Sequence, residues 1–348
     1  MEQKNKMEHQ NKIEDEFELI KEMTKDFHTY QPILVPNGDD AAIFPVSQQK
    51  GQVVCIDTMV EEIHFTTRTM SSFQIGYKAL AINLSDIAAM GGTPKYFLVS
   101  MAIPPSWNAS EIAEIYRGLK FLADECQLDL IGGDTVSAKS ALVITVTAIG
   151  EVEEHVQLTR SKAKPDDLLF LTGRLGDSAA GLHYLLQSDE KRASFPSMEP
   201  FMNLLFAHQQ PKPHLQEGRL LARLSAKGAI ALNDVSDGLS SEAHEIAERS
   251  QVSLVIEQEK LPLSPELKEF AKCVGKNPYE WVFHGGEDFV LIGTLPKELA
   301  AQAAEEFSRQ NLAFYPIGYA MEGKGEVYLQ EKGHRAKLAK QGFNHFVK

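Results

Sequence analysis

The sequence predicts a two-domain protein of mixed α and β structure. Three observations point there. The chain has 348 residues, more than a typical single core organises. Short β-branched apolar runs alternate with long amphipathic stretches. The chain also turns polar between Glu151 and His155 before a fresh strand pattern begins. The expected domains are therefore residues 1–150 and 151–348, the first with strands set between long helices.

Each element has a local reason. Residues 13–27 read as an amphipathic helix, with Phe17, Leu19, Ile20 and Met23 on one side. "GQVVCIDTMV" reads as a strand ending at Asp57. "SSFQIGYKALAINLSDIAAMGG" reads as a helix that Ser71 or Ser72 caps and Gly91-Gly92 stop. "KYFLVSMAIP" is a strand closed by Pro104. In "NASEIAEIYRGLKFLADECQ", Asn108 and Glu111 have capping-box spacing. "LDLIGGD" and "ALVITVTAIGEV" are further strands. In the second half, "DDLLFLTG" starts a strand and "GDSAAGLHYLLQ" a helix. Residues 188–213 read as a lid, an insertion or a long connection. Then come a helix at 215–225, a strand into "NDVSDG", a helix at 239–249, a strand at 252–257 and a helix at 265–273. After "WVFHGGEDFVLIGTL", a helix at 297–310 and two short strands near "FYPIGYA" and "EVYLQ" close the domain.

The formal net charge is −13. A general nucleic-acid binder or a partner of anionic membranes is more often basic, so neither is expected. Phosphorylated substrates stay open, because a bound divalent cation reverses the local sign. The three cysteines, Cys55, Cys126 and Cys273, form no CxxC pair, which argues against a zinc knuckle and fits a reducing, cytoplasmic setting. The N-terminal stretch is polar, and no run of about 18 apolar residues predicts a membrane helix.

The recurring theme is an acid beside glycine or serine at a strand end or helix start: "NGDDAA", "VCIDT", "NLSDIAAMGG", "LIGGDT", "NDVSDG" and "HGGEDF". Singly, each reads as a turn or a cap. Asp39 and Asp40 are adjacent like charges at the entry to an apolar segment, which needs a turn or a cation to explain it. Asp86 stands inside a helix among Ile82, Leu84, Ile87, Ala88 and Ala89, where aspartate is disfavoured. It either caps a neighbouring loop or faces a metal. Asp57 ends a strand whose preceding residues are apolar or small. As a set, acids converging from strand ends and helix starts suggest a magnesium site, since that ion takes oxygen ligands and substrate phosphates. No GxxxxGK[ST] loop, GxGxxG turn, GxSxG elbow or HExxH helix is present. A P-loop kinase and a nicotinamide dehydrogenase are thus unsupported, while a kinase of another design remains.

The ordered motifs GDDAA, DTMVEEIHF, NLSDIAAMGG, GGDT, GDSAAGL, DVSDGL and HGGEDF, with Arg160 and Lys162 ahead of Asp166, resemble those of the thiamine-monophosphate kinase family. The resemblance runs from about Glu16 to Phe346. It implies an aminoimidazole ribonucleotide synthetase-like fold: an N-terminal α+β domain whose sheet pairs with a second subunit in a homodimer, then a C-terminal α/β domain. It implies ATP-dependent, direct in-line phosphorylation of thiamine monophosphate to thiamine diphosphate, with several magnesium ions along the phosphates. By position, the magnesium ligands would be Asp40, Asp57, Asp86, Asp134, Asp234 and Asp237, with Asp39 supporting the first loop. ATP contacts would include Tyr116, Gly133, Asp134, Arg160 and Ser236. Thiamine monophosphate contacts would be His64, Glu287 and Phe343. No side chain is assigned as a catalytic base, because the acceptor phosphate is already ionised.

Plainer readings stand beside these. Tyr116 has apolar helical neighbours and suits a core, His64 between Ile63 and Phe65 suits a structural histidine, and Arg160 alone suits a surface. The sequence also departs from the family pattern. Cys55 and Ile56 replace hydroxyl residues, Glu62 stands where glycine is common, His214 replaces an arginine, and Phe343 replaces a tryptophan. The rival readings are another ATP-dependent enzyme of the same superfamily, of cyclase or selenophosphate synthetase type, and a non-catalytic regulatory protein that binds magnesium and nucleotide.

Overall fold

In the computed structural model, residues 16–34, 42, 44–156, 158–193 and 201–343 are described. The chain forms two compact units. The first comprises Met1–Gln48, Gln52–Asn83 and Pro94–Glu151; the second comprises Gln49–Gly51, Leu84–Thr93 and Val152–Lys348. Asp39 and Asp40 lie outside the described residues.

In the first unit, β1 (Lys50–Val60), β2 (Thr93–Ile103), β3 (Asp129–Ser137) and β4 (Val143–Glu153) form one sheet in the order β1-β4-β2-β3. Strands β2 and β3 are parallel, with Leu98, Ser100 and Ala102 beside Gly132, Asp134 and Val136. Helix α1 is Glu16–Thr24, α2 is Ser72–Ala89 and α3 is Ala109–Cys126. The capping box at α3 is formed as its spacing predicts: Asn108 accepts from the Ser110 and Glu111 amides, and the Glu111 carboxylate accepts from the Asn108 amide. The Cys55 thiol donates to the Asn83 carbonyl at 3.3 Å, so the α2 side of the sheet is the packed one.

Strand β1 departs from its prediction. It runs three residues past Asp57, and its apolar residues are not uniformly buried: Val54 is 62% exposed and Ile56 64%. The cause is the sheet's two unlike faces. One is packed; the other stays open in a single chain, so a β-branched run is half exposed with period two. Beyond the strand, Glu62 adopts φ +67, the left-handed conformation that glycine tolerates best. This supplies a backbone reason for the glycine expected there.

The second unit is a sheet with helices on both faces. Strands β5 (Leu168–Leu171), β6 (Ala231–Asp234), β7 (Val252–Glu257), β8 (Leu291–Leu295), β9 (Tyr315–Glu322), β10 (Val327–Glu331) and β11 (His334–Lys337) lie in the order β11-β10-β7-β9-β5-β8-β6. The β7–β10 pair is parallel and the other neighbouring pairs are antiparallel. Helices α4 (Asp177–Leu185), α5 (Asp189–Ala193), α6 (Met202–Gln209), α7 (Leu215–Ser225), α8 (Leu239–Ser250), α9 (Pro265–Val274), α10 (Pro278–His284) and α11 (Lys297–Arg309) complete it. Leu169 and Leu171 pack into a core with residues of α8, α9 and α10. Phe170 packs into another with residues of α7 and α11. Adjacent strand residues thus enter opposite cores, which is why this strand reads as a continuous apolar run.

The end of α2, from Leu84, belongs to this second unit. Ala88 and Ala89 join the core of α7 and α11. At Gly218 a Cβ would lie 2.2 Å from the Ala88 carbonyl oxygen, so only glycine permits this approach. Arg219 donates to the Gly91 carbonyl at 2.6 Å and holds Glu153 in a fork at 2.7 and 2.9 Å. Helix α10 and strand β11 were not anticipated from sequence, and residues 188–213 contain α5 and α6. Among the described residues, no helix is long and apolar enough to cross a membrane.

Candidate active site

Within the second unit, β6 ends on Asp234, and its backbone pairing with β8 continues into the loops beyond. The Val235 amide donates to the Val290 carbonyl at 2.8 Å, and the Phe289 amide to the Val235 carbonyl at 2.9 Å. The Glu287 amide reaches the Ser236 carbonyl at 2.6 Å. Thus "NDVSDG" and "HGGEDF" are locked backbone to backbone. Gly286 makes the approach possible: it has φ +69, and a Cβ there would lie 2.5 Å from the Ser236 oxygen. Glu287 and Phe289 also have positive φ, +58 and +50, a conformation that costs about 1 kcal/mol or more for a non-glycine residue.

Asp234 is 3% exposed. Burial pushes its carboxyl up from the ordinary range, opposed by the Ser85 hydroxyl bond and the Arg160 charge and reinforced by Asp237. Ser85 donates to Asp234 at 2.7 Å from the end of α2, one residue before half-buried Asp86. Arg160 Nε donates to the Asn233 side-chain oxygen at 2.8 Å. Asn233 in turn donates to Glu242, whose other oxygen accepts from the Asp237 amide at 3.2 Å. Glu242 is pushed up to about 7, first by burial and then by the charge of Asp234. The Phe343 amide donates to the Asp237 carbonyl at 3.4 Å, while its side chain is about half exposed. The Glu287 carboxylate stands 3.2 Å from Nδ1 of buried His208 in α6.

The second unit therefore gathers Arg160, Asp234, Ser236, Asp237, Glu287 and Phe343 around two loops, with Ser85 bringing the Asp86 segment of α2 to Asp234. Sequence reasoning passed over Ser85, Asn233 and Glu242. The available signals were a polar residue within the short run "ALND" and an acid in the first turn of α8. His214 bonds to the Thr172 hydroxyl at 2.9 Å and stands 3.3 Å from Glu217. It lines a cavity of about 460 Å³ with Arg174, Asp177 and Asp288.

The first unit holds the other candidates apart. Asp57 lies on edge strand β1 and Asp134 on the opposite edge, β3, three strand spacings or roughly 14 Å away. Asp134 is exposed on the open face beside Ser100. At Gly133 a Cβ would lie 2.0 Å from the Val99 carbonyl oxygen, which is a structural reason for glycine there. Tyr116 is 8% exposed, and burial pushes its hydroxyl up to about 12 against a bond with Thr135. His64 accepts the Val60 amide at Nδ1, 3.0 Å away, and closes the turn after β1. Among the described residues, no cluster of three histidine, cysteine or acidic side chains is placed to hold an ion by itself.

Asp288 gives a pH prediction. It accepts the Gly176 and Ser178 amides at the start of α4, yet burial and the charges of Asp177 and Glu287 push it up to about 8. The folded chain then holds a proton that the unfolded chain has lost, so this contribution to stability is complete below about pH 4 and declines as pH rises through 8. Thermal unfolding of the metal-free protein should fall more shallowly between pH 5 and 8 in Asp288→Asn than in the parent. Parallel profiles would exclude this contribution.

Comparison with known proteins gives these loops a family. Residues 38–152 match the model described as AIR synthase related protein, N-terminal domain, and residues 164–330 the corresponding C-terminal domain. The chain is 44% identical to the thiamine-monophosphate kinase of Bacillus subtilis (strain 168) over 333 residues, covering 95% of this chain and 99% of that one. It is similar to the crystal structure of thiamine-monophosphate kinase from Stenotrophomonas maltophilia K279a, with TM-score 0.78 and 29% identity over 94% of this chain and 98% of that one. A second solved structure, described as AaThiL complexed with AMPPCP and TMP, has TM-score 0.74 and 32% identity over 95% and 96% of the two chains. With its acidic loops carried on this fold, the chain belongs to the thiamine-monophosphate kinase family.

Proposed function

We propose that this protein transfers the γ-phosphoryl group of ATP to thiamine monophosphate, giving thiamine diphosphate and ADP. The observation that carries the reading is the pair of locked loops. They hold Asp234, Ser236, Asp237 and Glu287 in one backbone-bonded unit, with Arg160 beside them, in a chain of this family. The relative described as complexed with AMPPCP and TMP supports both substrates.

The residues fit magnesium. Asp234, Asp237 and Glu242 crowd together with Arg160 as the nearby cation; burial first, and then their mutual repulsion, raises Asp234 and Glu242. A divalent cation would relieve it. Magnesium usually takes only one or two protein carboxylates and completes its shell with phosphate and water, so a partial protein ligand set suffices. Asp40, Asp57, Asp86, Asp134, Asp234 and Asp237 are the proposed ligands. Bound magnesium would supply charge neutralisation along the phosphates.

The protein's own groups then bind and orient. Arg160 presents its terminal nitrogens to phosphate, with Ser236, Gly133, Asp134 and Tyr116 as further ATP contacts. Glu287, steadied by His208, meets the cationic thiamine portion; His64 and the Phe343 ring are the further proposed contacts of thiamine monophosphate. The acceptor phosphate is already a nucleophile, so positioning and electrostatics carry the rate rather than a base.

A homodimer belongs to the same reading. Val54, Ile56 and Val136 are 62%, 64% and 49% exposed on the first unit's sheet, and a second copy laid on the open face would cover them. The same reading puts the enzyme in the cytoplasm, as its sparse, odd cysteine count suggests.

An endpoint assay with ATP, magnesium and thiamine monophosphate should yield thiamine diphosphate and ADP in equal amounts by chromatography, and Asp57→Asn should lose at least about a hundredfold in turnover while keeping its unfolding temperature. Absence of thiamine diphosphate with the wild type would refute the substrate; near-normal turnover in the variant would refute the ligand role. Light scattering after size exclusion should give twice the chain mass for the wild type and the chain mass for Val54→Lys/Ile56→Lys. A monomeric wild type would remove the dimer from the account.

A further inference from the structure

Asn233 and Glu242 belong to no contact proposed above, yet both are buried at 2% and 4% exposure, and both touch residues that the function requires. Asn233 uses its side-chain oxygen to accept Arg160 Nε at 2.8 Å. Its amide nitrogen donates to one oxygen of Glu242. The other oxygen accepts the Asp237 amide at 3.2 Å and lies 3.4 Å from the Ser236 hydroxyl. The Ser250 hydroxyl, from the last turn of α8, holds the Arg160 main-chain carbonyl at 2.7 Å. The groups that make these bonds are anchored on regular elements: Asn233 on β6, Glu242 and Ser250 on α8.

We propose that Asn233 and Glu242 are positioning residues for the nucleotide, forming a relay that fixes the Arg160 guanidinium and the Ser236–Asp237 loop in one mutual geometry. The inference rests on the kinase reading for the roles of Arg160, Ser236 and Asp237. The bond engages Nε, the one guanidinium nitrogen within the side-chain stem. This sets the plane in which the two terminal nitrogens meet a phosphate. Glu242, by accepting from the loop amide, keeps Asp237 at a fixed distance from the same arginine. Asparagine suits the middle position because it accepts on one side and donates on the other, which neither aspartate nor leucine can do.

A double-mutant cycle tests the relay. Asn233→Ala should raise the KM for ATP about tenfold, with the KM for thiamine monophosphate and kcat within about threefold. In an Arg160→Ala background the same substitution should add less than about twofold, because the group it orients is gone. An equal added loss in both backgrounds would assign Asn233 to general stability and overturn the proposal, as would an unchanged KM in the single variant. Should Asn233→Ala fail to fold, Glu242→Gln keeps the shape and removes one acceptor; it should raise the KM for ATP selectively, and a change in neither or in both KM values would overturn the relay. Titration calorimetry with magnesium-ATP runs the cycle without the acceptor. Coupling there, with no phosphorylation of thiamine monophosphate, would keep the relay and discard the function; absence of coupling would discard the relay whatever the assay gives.

Discussion

The burial of Asp234 is the constraint on which the second unit depends. A carboxylate at 3% exposure is costly unless charge and hydrogen bonds compensate it. The compensation comes from two other parts of the unit: Ser85 from the end of α2, and the charge of Arg160 ahead of β5. Arg160 is held by β6 and α8, while Ser85 is in place only when the tail of α2 lies against α7. That approach needs Gly218 without a Cβ and the Arg219 fork on Glu153. One buried charge therefore links packing among helices to the geometry of the acidic loops.

The same economy explains why the loops tolerate strain. Glu287 and Phe289 are held at positive φ by ladder-like bonds to Val235 and Ser236. A few strong backbone bonds over-determine a conformation that the residues would not choose. The first unit works differently. Its candidates are spread over both edges of a sheet with one open face, so it reads as a surface awaiting partners rather than a closed site.

Local chemistry was the legible part. The α3 capping box, the bounds of α7 and β7, and the acid within α2 follow from spacing, periodicity and stop signals a few residues apart. What escaped was long-range. Asn233 meets Arg160 across 73 positions, and Ser85 meets Asp234 across 149, and no local pattern encodes either bond. Strand β11 is polar and wholly exposed, so it carries no alternation to read. The residue run of β1 could not reveal that one sheet face is open, because burial depends on what covers a face. Glu62 is the converse case: a departure in sequence gained a physical meaning only from its φ of +67.

The central claim is that these crowded carboxylates accept nucleotide only together with a divalent cation. Titration calorimetry of ATP into the wild-type protein, once in excess magnesium and once in EDTA, tests it most directly. The account predicts affinity at least about tenfold weaker in EDTA, since bare triphosphate would meet a cluster of like charge. Equal affinities in the two buffers would contradict it.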